Sequence, residues 1–136
     1  MLNTILLFYK LRFHSLYNWQ IKMKSLSPDF SALSMLSVSI WLNIINLNIA
    51  LHLFLPIDVF LYNLTPVSVI LTMIIIMIVN YFSLINNGRL KRINKEFENH
   101  SQEKIRSENK ITTIYMILTF ILFPILNGLI VIIDKL

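Results

Sequence analysis

The sequence predicts an all-α integral membrane helical bundle, with three transmembrane helices plus an N-terminal interfacial amphipathic helix. Three observations predict it. Residues 31–55, 66–86 and 111–133 contain no Asp, Glu, Lys or Arg, and about 20 apolar residues suffice for a helix to cross the hydrocarbon core. Hydrophobic residues make up 56% of the chain and charged residues only 14%, too little polar surface to coat a ball of this size in water. The charges are also segregated: of the 12 Lys and Arg, all but Lys135 fall within residues 1–30 or 89–110. A membrane β-barrel needs segments of about 10 alternating residues. The runs here are twice that length and do not alternate.

Residues 1–30 form a cytoplasmic or interfacial segment ahead of a transmembrane domain over 31–136. A signal peptide is not expected, because the apolar run Ile5–Tyr9 is short and the basic residues follow it. On a helical wheel Ile5, Phe8, Tyr9, Phe13, Leu16, Trp19 and Met23 share one side, and Lys10, His14, Ser15, Asn18 and Lys22 lie opposite. An aromatic face against a basic one describes a helix lying in the membrane interface. Arg12 violates the pattern. Ser27-Pro28-Asp29 ends this helix, and Ser27 or Asp29 caps the first span, 31–55, which Pro56 closes. A short connection over 56–65 carries no Lys or Arg. Pro66 suits the first turn of the second span, 66–86. Asn86-Asn87-Gly88 stops it, with Gly88 free to adopt a left-handed conformation. The basic cytoplasmic loop 87–110 follows, and Leu90, Ile93 and Phe97 at helical spacing predict an amphipathic helix within it. The third span, 111–133, contains Pro124, expected to kink or weaken the helix.

Basic segments stay in the cytoplasm. Two spans separate the two basic segments, so both fall on one side. The expected topology is N-terminus inside and C-terminus outside, in a bacterial inner (cytoplasmic) membrane. The basic residues Lys10, Arg12, Lys22, Lys24, Arg89, Lys91 and Arg92 are then expected to meet anionic lipid headgroups.

Polar side chains are costly in lipid and face a neighbouring helix or water. Ala32, Leu36, Ser39, Asn43, Asn46 and Ala50 recur every three or four residues, a stripe of small and amide residues suited to close helix packing. Two readings stay open: packing against another span of the same chain, or a homo-oligomer seam. Asn48 and His52 lie four apart on a different face. With Asn80 of the second span and Asn127 of the third, they form a candidate intramembrane polar site. The bundle interior and a narrow pore remain alternative roles for the polar stripes.

Catalytic constellations are missing from the sequence. Cysteine is absent and there are only two glycines, which leaves no zinc ribbon, thiolate nucleophile or glycine-rich phosphate loop. No Gly-x-Ser-x-Gly or His-Glu-x-x-His occurs, and every Asp and Glu lies outside the spans. Three scattered histidines make no metal site, and His14 and His100 read as solvated. The basic loop lacks the interleaved aromatics of a nucleic-acid platform. The expectation is a protein with no enzymatic activity, cofactor or nucleic-acid partner.

Phe8-Tyr9-Lys10, the Pro28-Asp29-Phe30-Ser31-Ala32-Leu33 start of the first span, Asn43, Asn80-Tyr81-Phe82 and the stretch from Arg89 to Phe97 carry a further likeness. With these the chain resembles a loose group of small multi-pass membrane proteins of Bacteroidetes-type bacteria. The resemblance implies a host class and carries no activity. The leading expectation is a non-enzymatic inner-membrane protein that acts by self-assembly or by docking a cytoplasmic partner. A pore-forming, membrane-permeabilising effector and an accessory subunit of a respiratory or transport complex are the alternatives.

Overall fold

A proline, a left-handed pair and a serine cap divide the chain into helices. The computed structural model describes residues 2–54 and 65–133. The connection expected over 56–65, apart from Thr65, and the terminal Asp134, Lys135 and Leu136 lie outside the described residues. The described chain is helical, with no strand: α1 (Leu2–Lys22), α2 (Pro28–Phe54), α3 (Pro66–Leu84), a single 3-10 turn (Asn86–Gly88), α4 (Arg89–Glu98) and α5 (Gln102–Ile133). Three of these, α2, α3 and α5, are long and apolar enough to cross a membrane.

Each boundary has a local cause. The chain leaves α1 through Lys24 at φ 55°, and Pro28, whose fixed φ suits a first turn, starts α2. Thr65 caps α3, its hydroxyl accepting from the Ser68 backbone N–H at 3.2 Å, and Pro66 follows as the first helical residue. Asn87 (φ 55°) and Gly88 (φ 72°) are both left-handed, a conformation that glycine tolerates best. They turn the chain from α3 into α4. The Arg89 guanidinium reaches back to the Phe82 and Ser83 carbonyls at 2.8 and 3.4 Å, groups that no longer have a partner within α3.

The loop expected over 87–110 is largely helix. Residues 89–98 form α4, and 102–110 are the start of α5, continuous with the third span. Ser101 accepts the Lys104 N–H at 3.3 Å. Glu, Lys and Arg are good helix formers, and no breaker intervenes before Pro124, which α5 accommodates within its length. At 1.5 Å per residue the 32 residues of α5 extend about 48 Å against a hydrocarbon core of about 30 Å. The charged first turns therefore project from the end of the third apolar run.

Helix α2 is the hub: 44% of its apolar stretch is buried, against 11% for each of α3 and α5. It packs against α1, α3 and α5. The main apolar cluster lies at the basic end, where Phe13 and Leu16 of α1 meet Ala32, Leu33 and Leu36 of α2, with Leu84, Ile93, Phe97 and Met116 around them. A smaller cluster of Ile45, Ile49 and Leu126 ties α2 to α5 farther along. Helix α1 thus differs from an isolated interfacial helix. Phe13 is fully buried between helices, while Ile5, Trp19 and Met23 of the same aromatic face remain exposed.

Candidate functional site

Two polar networks and a mixed aromatic–ionic junction bring together residues that are far apart in sequence. The first network joins three helices. The Tyr9 hydroxyl donates to Asn80 Oδ1 at 2.6 Å, the Asn80 amide donates to Ser37 Oγ at 2.7 Å, and Ser37 donates to the Leu33 carbonyl at 2.8 Å. Asn80 and Ser37 are buried. Burial pushes the Tyr9 hydroxyl up to about 12, so it stays a donor throughout the physiological range.

The second network lies between α2 and α5. The Asn43 amide donates to the Tyr115 hydroxyl, Thr119 Oγ1 donates to Asn43 Oδ1 at 3.2 Å, and the Asn46 amide donates to the Thr119 carbonyl at 3.1 Å. Ala32, Ser39 and Asn46 of the small-residue stripe are buried and Ala50 is half-buried. In this geometry the Asn43 amide and the Asn46 donor bond within one chain, while Asn46 Oδ1 is buried with no partner among the described residues.

At the junction of α1, α4 and α5 the His14 ring stacks on Phe97 at 4.9 Å, and the Phe97 and His100 rings meet edge to face at 5.0 Å. His100 Nδ1 is 3.0 Å from Glu108, and Lys104 Nζ is 3.2 Å from His100 Nε2. Ser15 donates to Asn109 Oδ1 at 2.5 Å. Both histidines therefore have protein neighbours, unlike the solvated rings expected from sequence. For His14 the Phe97 ring arrives from α4, more than eighty residues on, whereas the His100 partners Phe97, Lys104 and Glu108 are its near neighbours in sequence.

Four cations expected at lipid headgroups also meet protein groups: Arg89 and Arg92 reach main-chain carbonyls, and Lys10 and Arg12 meet side chains. Lys10 pairs with Glu96 at 2.9 Å, an exposed bridge of the kind worth up to about 1 kcal/mol. The Arg12 guanidinium lies 3.2 Å from the Tyr115 ring centroid and 3.9 Å from that of Phe8, an arrangement favoured by the negative ring faces. This contact accounts for an arginine on the wrong side of the wheel. Lys22, Lys24, Arg89, Lys91 and Arg92 are exposed.

The remaining candidates scatter. Asn127 donates to its own helix at the Phe123 carbonyl, 2.8 Å away. Asn48 is 4% exposed, and its Oδ1 has no partner. The His52 side chain lies outside the described residues. Asn48, Asn80 and Asn127 are not joined by a hydrogen bond among the described residues. Ser37 and Tyr115 escaped the sequence reading. Ser37 stands eleven residues before Asn48, three helical turns, so it belongs to a second polar face of α2. No group of three or more His, Asp or Glu side chains stands close enough to hold a metal ion among the described residues.

Burial lowers the His14 pKa, and His100 adds to the effect while Glu108 opposes it. An unfolded histidine titrates near 6.5. As pH falls below that value the unfolded chain takes up a proton that the folded chain resists, so stability falls with acidification. The detergent-solubilised protein is expected to melt earlier at pH 5.5 than at pH 7.5. His14→Phe keeps a ring on Phe97 and removes the proton, so its melting midpoint should vary less over the same range. Equal pH slopes for both proteins would show that His14 is not responsible.

Comparison with protein-family models, with curated proteins and with solved structures finds no match for the chain.

Proposed function

We propose that the chain is a non-enzymatic integral protein of the bacterial inner membrane, with its N-terminus inside. It works by presenting an ordered basic face to an acidic cytoplasmic partner. The observation that carries this reading is the construction of α4. Ile93 and Phe97 are buried at 3% and 1% exposure, which anchors the helix, while Arg89, Lys91, Arg92 and Lys95 stay exposed. Arg89 is steadied by the Phe82 carbonyl at the end of α3 and Arg92 by the Asn87 carbonyl of the turn. A topology signal needs positive charge but no fixed arrangement; a recognition surface benefits from one.

Docking is favoured over self-assembly through α2, because the Asn43 and Asn46 amides bond to α5 of the same chain. A pore reading is weaker on similar grounds. The polar side chains Ser68, Thr72 and Asn127 donate to the backbone of their own segments, so these donors are satisfied without a water-filled lumen.

A photo-reactive amino acid at Lys91 in cells tests the reading. The expected result is one discrete adduct whose added mass is not a multiple of 16.0 kDa, the mass of the chain. Lys95→Glu in the same background should lower its yield about fivefold, as removing a charge contact and adding repulsion would. A ladder at multiples of the chain mass would mean self-assembly. Absence of any protein adduct would overturn docking at this face.

A further inference from the structure

A groove of about 320 Å³ opens between the C-terminal half of α1 and the middle of α5, with Met35 of α2 at its floor. It continues into a second, more polar depression of about 360 Å³, and Lys22 and Asn109 line both. Along this path the chemistry changes in one direction. Arg106 and Gln102 lie at the outer end, Lys22 and Asn109 at the join, and Leu16, Met116 and Ile117 at the inner end. Met116 and Ile117 belong to the third apolar run, Leu16 faces the groove from α1, and Gln102 and Arg106 belong to the charged start of α5.

A second observation points to an occupant. Thr112 lines the inner groove, is 2% exposed, and its hydroxyl has no hydrogen-bond partner. A helical threonine ordinarily satisfies itself by donating to the carbonyl four residues back, as Thr113 does to Asn109 at 2.9 Å. A buried polar group left unmatched costs free energy unless something in the site completes it. Lys22 and Arg106 form no ion pair among the described residues. Glu103 shares their depression, so the outer end holds two cations against one carboxylate.

We propose that this groove binds one anionic glycerophospholipid. Its phosphate sits between Lys22 and Arg106, its glycerol ester region reaches Thr112 and the Asn109 amide, and one acyl chain lies over Leu16, Met35 and Met116. The charge gradient argues for a lipid over an apolar peptide or a second copy of the chain. A lipid supplies negative charge, ester oxygens and hydrocarbon in that order. The proposal rests on the reading of the chain as a membrane protein. Its role would be to lock α1 against α5 when the surrounding leaflet is acidic.

Native mass spectrometry of the full chain released from detergent tests the site, with phosphatidylglycerol, phosphatidylcholine and inorganic phosphate as separate probes. Wild type should retain a single phosphatidylglycerol in preference to phosphatidylcholine. The pair Lys22→Gln and Arg106→Gln should lower that retention about tenfold, the scale expected for two cations near a lipid phosphate. Met116→Trp should fill the inner groove and lower it with the charges intact. Lys91→Gln with Lys95→Gln, outside the groove, should leave it unchanged. Equal loss from the Lys91 and Lys95 pair would reduce the effect to general surface charge and overturn the site. Equal retention of phosphatidylcholine would overturn the headgroup assignment, and binding of inorganic phosphate that Met116→Trp does not disturb would identify a free anion instead. Release of the protein from membranes by alkaline carbonate would refute the membrane reading itself, whereas a membrane-embedded protein that retains no lipid refutes only the groove.

Discussion

Phe97→Ala is expected to cost about 3–5 kcal/mol, the range for removing a fully buried aromatic ring, and to release α4 from the bundle. Phe97 is 1% exposed and contacts both the His14 and the His100 ring. With Phe13, Leu16 and Ile93 it belongs to the cluster that joins α4 to α1 and α1 to α2. Its truncation removes contacts to both neighbours at once. Hydrogen exchange in detergent should show the amides of residues 89–100 opening well before those of α2, together with a lowered melting midpoint. Phe97→Leu should cost about half as much, because most of the volume stays but the flat surface under His14 is lost. If α4 amides exchange alike in wild type and Phe97→Ala, the helix is held by something other than this side chain, and the ordered basic face loses its anchor.

What the sequence reveals follows from which physical signals are local. The three apolar helices were readable, because hydrocarbon-length runs without charge are a property of contiguous residues. Gly88 was readable for the same reason, since a left-handed stop is settled within a few residues. The length of α5 was not. Charge density between Gln102 and Lys110 marks where an apolar run ends, not where a helix ends. A helix rich in Glu, Lys and Arg continues readily into water. Helix α1 shows a different limit. Its period was visible, and its basic side reads naturally as water- or headgroup-facing. Yet Lys10 finds Glu96, His14 finds Phe97, and Ser15 finds Asn109, over separations of more than eighty residues. Such matches exist only after folding, and no spacing rule reaches them. On α2 one polar stripe stood out by its heptad-like spacing. The other showed only in part: Asn48 was legible beside His52, but Ser37 was not, because a helix buried on two sides carries two overlapping patterns.

Replacing Asn43 and Asn46 together by Leu is expected to lower the stability of the monomer and leave its stoichiometry intact. Asn43 accepts from Thr119 and donates to Tyr115, and Asn46 donates to the Thr119 carbonyl. Three interhelical contacts are lost, and Thr119, 3% exposed, keeps a hydroxyl without its acceptor. An interhelical hydrogen bond in a membrane is worth about 0.6 kcal/mol on average, so the three together amount to roughly 2 kcal/mol. Leucine also overfills a stripe in which Ser39 is fully buried, which adds to the cost. Reversible unfolding in bilayer-like detergent should register the loss, and sedimentation in density-matched detergent should give the same mass for variant and wild type. Adding Thr119→Val should cost less in the double variant than in wild type, because the bond between Asn43 and Thr119 is already gone. The opposite pattern, a lower oligomer mass with unchanged unfolding, would place these amides against a second copy of the chain. The reading of α2 as the hub of a single-chain bundle would then fail. With it would go the preference for docking through α4 over assembly through α2.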